Sequence, residues 1–178
     1  MQRKIQVADM LTKTASLSSA LLFLAIVAFA ADAKENADWR VYLGGKERNL
    51  YSSLKQINRD NVTKLQVAWI HETGDKAEYQ ANNLIVDGIL YTPTPGRKVV
   101  ALDAATGAVR WTWDPAKEGP GRGGGRQRGL VYWENEEGGE RRLFTGVAGV
   151  LFALDPASGK VINDFGEEGS IQLGSGLN

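Results

Sequence analysis

The chain has 178 residues, 21 Lys and Arg against 21 Asp and Glu, one His, 21 Gly and no Cys. That length suits one domain with a short appendage, and 43% hydrophobic with 24% charged residues is the composition of a globular protein rather than a disordered one. Zero net charge offers no electrostatic ground for binding nucleic acid. The absence of cysteine excludes a disulfide scaffold, a zinc–thiolate site, an iron–sulfur cluster and a cysteine nucleophile.

The first element in chain order is residues 1–33. Arg3, Lys4 and Lys13 precede an unbroken apolar run over residues 20–30, and small-x-small sites follow at Ala28-Phe29-Ala30 and Ala31-Asp32-Ala33. A basic start, an apolar core and a small-residue cleavage site describe a secretory signal peptide; left uncleaved, the same stretch is an N-terminal membrane anchor. Both readings export the remaining domain, residues 34–178.

Short apolar runs bounded by turn signals follow. Leu65-Gln66-Val67-Ala68-Trp69 reads as a blade's last strand whose partners come from elsewhere in the sequence. Leu84-Ile85-Val86 and Ile89-Leu90-Tyr91 flank Asp87-Gly88, a hairpin signal because Gly tolerates positive φ. Val99-Val100-Ala101-Leu102 leads into Asp103-Ala104-Ala105-Thr106-Gly107, a turn whose Asp carboxylate can accept backbone N–H groups. Trp111, at the end of the next strand, is expected to cover the gap between neighbouring sheets.

A second series repeats the first. Leu130-Val131-Tyr132, Arg142-Leu143-Phe144-Thr145, Leu151-Phe152-Ala153-Leu154 and Val161-Ile162 are the apolar runs, and the turn is Asp155-Pro156-Ala157-Ser158-Gly159. The Ala-Leu-Asp-x-Ala-Thr/Ser-Gly segments are offset by 52 residues, from Leu102 to Leu154. A recurrence near 50 residues built of short strands and tight turns is the signature of propeller blades. The expected fold is therefore all-β, a partial β-propeller of about two blades.

Competing readings are weaker. Residues 119–125 carry several glycines but also Pro120 and no following helix, unlike a nucleotide loop. His71 has no second His and no Cys to share a transition metal. The acidic residues 134–140 read as a solvated hairpin tip rather than a calcium loop. Two polar positions stand out instead, because the first strand of a blade lines the central channel: Gln80 lies ahead of one such strand and Arg128 ahead of the next.

Ala101-x-Asp103-x-x-Thr106-Gly107-x-x-x-Trp111 resembles the tryptophan-docking motif of the quinoprotein dehydrogenases, which bind pyrroloquinoline quinone (PQQ) in an eight-bladed propeller. The second copy has Ser158 for Thr and Asn163 for Trp. Trp39 with Tyr42-Leu43-Gly44-Gly45, residues 49–58, Asn61-Val62 through Trp69, Gln127-Arg128-Gly129-Leu130-Val131-Tyr132-Trp133 and Phe165-Gly166 resemble further family motifs in family order, over residues 38–178. The resemblance implies that Arg128 contacts a PQQ carboxylate or quinone oxygen. It places Gln80 where sugar-oxidising members carry Gln and others Glu, although Asn82-Asn83 stands in place of the family Thr-Pro. Arg122-Gly123 occupies the place of the adjacent cysteines of the alcohol-oxidising branch, which favours a glucose- or quinate-like relative.

What the resemblance implies for function is a periplasmic enzyme using PQQ and Ca²⁺ to oxidise a sugar or alcohol hydroxyl, with electrons passing to a quinone or cytochrome c. Two blades fall short of the four or more that propellers use. The chain is thus expected to be the N-terminal piece of a longer protein, or the product of a broken gene, inactive alone and with its catalytic base and calcium ligands beyond Asn178. The rival reading is a non-catalytic propeller acting as an envelope-assembly scaffold, a class usually lipid-anchored through an N-terminal Cys that this chain lacks.

Overall fold

The computed structural model describes residues 38–117 and 127–174. The expected signal or anchor segment 1–33, the glycine-rich stretch 119–125 and Arg126 lie outside the described residues.

Eight strands form two four-stranded antiparallel sheets, each ordered as in the sequence. The first holds β1 (Leu84–Val86), β2 (Ile89–Pro93), β3 (Val99–Asp103) and β4 (Val109–Trp113); the second holds β5 (Val131–Glu134), β6 (Arg141–Val147), β7 (Val150–Leu154) and β8 (Ser170–Gln172). These are the two expected blades. Their facing sides close one core, to which Leu84, Val99 and Ala101 contribute from the first sheet and Leu143, Val147 and Leu154 from the second.

The turns form for the reasons the residues suggest. Asp87 and Gly88 take φ of 53° and 75°, the left-handed pair of a two-residue hairpin whose twist matches its strands. Asp103 Oδ1 accepts from the Ala105 and Thr106 amides at 3.2 and 3.0 Å and from the Thr106 hydroxyl at 2.9 Å. The Arg110 guanidinium, with Thr106, holds this carboxyl below its ordinary range. Residues 135–140 close the β5–β6 hairpin, as the acidic tip predicts.

Tryptophan docking occurs twice with the same geometry. Trp111 donates Nε1–H to the Pro156 carbonyl at 2.9 Å, and its ring covers Gly159 so closely that a Cβ there would lie 2.5 Å from it. Trp69 donates to the Ala104 carbonyl at 3.2 Å and covers Gly107 in the same way, with a Cβ 2.6 Å away. Ala104 and Pro156, like Gly107 and Gly159, are the repeat partners identified by sequence. Trp111 lies in the middle of β4 rather than at its end, and is partly buried.

Two expected strands differ. Residues 65–69 are irregular, because no described segment offers them a pairing edge. After Gly159 the chain makes only a single bridge, Leu154 to Val161, before turning at Asn163-Asp164; β8 forms later, at 170–172, and pairs with the first half of β7. Asn and Asp favour turns over ladders, and Phe165 then packs on Phe144 with ring centroids 5.3 Å apart.

Tyr91 links the blades at their centre. It is 4% exposed and donates its hydroxyl to the same Pro156 carbonyl, at 3.2 Å. Burial pushes its pKa up to about 12. The unfolded chain ionises Tyr91 near its ordinary value of about 10, so its contribution is complete below that pH and declines as pH rises towards 12. Tyr91→Phe is expected to flatten the fall of the denaturation midpoint between those two pH values; parallel profiles for the two proteins would contradict this.

Candidate functional site

The seam between the two sheets brings Gln80 and Arg128 to the same end of the fold. Strands β1 and β5 are the first of their blades, and the residues just before them meet in a parallel bridge between Asn82 and Gly129. Arg128 is exposed, and its guanidinium makes no hydrogen bond or ion pair with another described residue. Gln80, two residues before the bridge, is also exposed and donates Nε2–H to Glu78 at 2.9 Å.

Beside them is a cavity of about 120 Å³ lined by Glu78, Tyr79, Gln80, Thr94, Pro95 and Gln127, among others. Gln127 donates its amide to the Thr145 hydroxyl, which leaves Gln127 Oε1 buried without a partner. Thr94 is 4% exposed, and its hydroxyl faces the Asp75 carboxyl, which it helps to hold below the usual carboxylate range. A buried polar atom left unmatched costs stability, and the Gln127 oxygen, without a partner among the described residues, marks a place suited to a polar ligand. Asn83 is already engaged, its Oδ1 accepting from Tyr79 at 2.7 Å and Thr92 at 2.8 Å.

The other end of the seam is self-contained. Because β1 runs from this site to the Asp87-Gly88 turn, that turn lies at the opposite end. There Arg40 pairs with Asp38 at 2.8 Å and Glu134 at 2.6 Å, while Arg141 pairs with Asp87 and Glu134, both at 3.0 Å. Arg40 also lies over the Tyr132 ring, 5.7 Å from its centroid. These arginines are neutralised by protein carboxylates. Arg128 is not.

Arginine presents a planar, permanently charged fork that matches a carboxylate or a pair of adjacent oxygens. PQQ carries three carboxylates and an ortho-quinone; the exposed Arg128 guanidinium, unpaired among the described residues, and the Gln80 and Gln127 carboxamides that line the cavity have a chemistry that fits that group. The sequence located Arg128 and Gln80. It did not point to Thr94 or Gln127, whose significance lies in burial. Among the described residues no group of three His, Cys, Asp or Glu side chains is placed to hold a metal ion, and no helix is long and apolar enough to cross a membrane.

Two blades of antiparallel sheet with interlocking tryptophans define a propeller protein. The profile of the glucose/ethanol/alcohol dehydrogenase β-propeller domain, the PQQ domain, matches residues 39–178, and the chain belongs to this family. It is 36% identical over 131 residues to the dehydrogenase subunit of a quinone-dependent alcohol dehydrogenase from Gluconobacter oxydans, covering 70% of this chain and 16% of that one. It is 31% identical over 159 residues to the quinoprotein glucose dehydrogenase of Escherichia coli, covering 79% of this chain and 20% of that one. The crystal structure of the Comamonas testosteroni quinohemoprotein alcohol dehydrogenase superposes with a TM-score of 0.63 at 28% identity, over 79% of this chain and 20% of that one. The chain spans about a fifth of the length of these relatives.

Proposed function

We propose that the chain is the N-terminal part of a periplasmic PQQ-dependent dehydrogenase that oxidises a sugar or alcohol hydroxyl and passes the electrons to a respiratory acceptor, a quinone or a cytochrome c. The observation that carries this reading is the Arg128 guanidinium, exposed and unpaired among the described residues, at the seam it shares with Gln80. Relatives named for alcohols and for glucose support the substrate class. Gln80, together with Arg122-Gly123 in place of adjacent cysteines, favours the sugar side.

When bound, PQQ supplies a two-electron acceptor assisted by Ca²⁺ as a Lewis acid, with the metal ligands and the catalytic base coming from residues beyond Asn178. The work of this chain is binding. Arg128 holds an anionic edge of the ligand, Gln80 offers an amide beside it, and the packed blades exclude water from one side. Export by residues 1–33, which also offer a route to membrane association, belongs to the same reading.

The test is reconstitution of the full-length protein. Titration with PQQ in the presence of Ca²⁺, followed by tryptophan fluorescence, is expected to saturate at one equivalent. The loaded protein is then expected to reduce an artificial acceptor dye when given a sugar or alcohol. A folded protein that takes up no PQQ would overturn the proposal and leave the envelope scaffold as the reading.

A further inference from the structure

We propose that Asn82 is a positioning residue for Arg128, locking its backbone from the neighbouring blade so that the root of the side chain is already fixed when the anionic ligand arrives. This rests on the reading that Arg128 meets PQQ. The Arg128 carbonyl oxygen accepts two hydrogen bonds from one residue: the Asn82 backbone N–H at 3.1 Å and the Asn82 Nδ2–H at 2.9 Å. A carbonyl oxygen has two lone pairs, and both are occupied. The Arg128–Gly129 peptide plane cannot rotate without losing both contacts.

The flanking residues reinforce this. On the N-terminal side, the Gln127 amide is tied to the Thr145 hydroxyl in β6. On the C-terminal side, Leu130 is buried in the core. Arg128 is therefore held through its main chain, while its guanidinium has no partner among the described residues. A pre-organised donor loses less conformational entropy on binding than a mobile one.

Asparagine is suited to the task because its carboxamide supplies an N–H beyond the backbone's own. Aspartate has the same shape but no donor, and sets a charged oxygen against the Arg128 carbonyl. The neighbouring asparagine does not substitute, since Asn83 is committed to Tyr79 and Thr92. The two residues that replace the family Thr-Pro thus have separate tasks, one across the seam and one within the blade.

The experiment is a double-mutant cycle on the full-length protein, with PQQ affinity measured by fluorescence titration of the apoprotein. One hydrogen bond to a partly exposed carbonyl has a modest net value, so Asn82→Ala is expected to weaken PQQ about five- to tenfold. In an Arg128→Ala background the same change is expected to cost less than about twofold, because there is no guanidinium left to position. Asn82→Asp keeps the shape while removing the donor, is expected to weaken PQQ at least as much, and carries the test if the alanine variant fails to fold.

An unchanged affinity for the Asn82 variants alongside a loss for Arg128→Ala overturns this inference alone. So does an equal loss in both backgrounds, which would be a general structural effect. An Arg128→Ala protein that binds PQQ normally would remove the proposed function and this inference with it.

Discussion

Replacing Arg128 by Ala in the full-length protein is expected to weaken PQQ binding about ten- to a hundredfold, the loss that follows from removing a charge-assisted hydrogen bond of about 1.5–3 kcal/mol. The size of the effect rests on the contrast among the seam's arginines. Arg40 and Arg141 are tied to carboxylates within 3.0 Å, whereas Arg128 has no such partner among the described residues and is free to answer a ligand's charge. Arg110 is the appropriate control, because it lies on the outer strand β4 and pairs with Asp103 at 2.7 Å. Arg110→Ala is expected to leave the PQQ titration unchanged. Superimposable curves for the wild type and the Arg128 variant, both folded, would remove the basis for a cofactor site here.

The largest stability effect is expected at Trp111. Trp111→Ala removes the indole lying over Gly159, its bond to the Pro156 carbonyl, and its contact with Tyr91, whose ring centroid is 5.9 Å away. Large-to-small aromatic changes in packed sites cost about 3–5 kcal/mol, and the partial exposure of Trp111 puts the expected value near about 3. The measurement is the denaturant midpoint of the full-length protein at constant m-value. Filling in from the other side tests the same contact: Gly159→Ala places a Cβ against the ring and forces alanine into φ of +71°, so it too should destabilise. A midpoint indifferent to both substitutions would mean that the indole does not join the blades.

Much of this architecture was readable because it is local. The Asp87-Gly88 hairpin, the Asp103 turn with its serving hydroxyl and amides, and the left-handed Gly107 and Gly159 each depend on a handful of adjacent residues. Arg128 and Gln80 were located by motif and by their place before a first strand. The late arrival of β8 is not readable, since Val161-Ile162 has the apolar character of a strand and only the Asn163-Asp164 turn cuts it short. Residues 65–69 have a strand's composition, but a strand needs an edge, and composition does not say whether one is present. The sequence shows Asn82 in place of a family residue but not its role, because its carboxamide acts on a carbonyl 46 residues away, just ahead of the other sheet, a pairing that no spacing rule anticipates.

The repeated indole contact gives the chain a direction. In each case the ring is supplied by sequence that precedes the glycine it covers, Trp69 for Gly107 and Trp111 for Gly159. A chain delivered N-terminus first, whether from the ribosome or across a membrane, presents each ring before the turn that it covers. Trp69 is thus in place when the Asp103 turn arrives, and the second blade docks onto a first blade whose four strands have already been delivered. Interblade joining can therefore keep pace with delivery of the chain, and the apolar side of a new blade is covered soon after it appears.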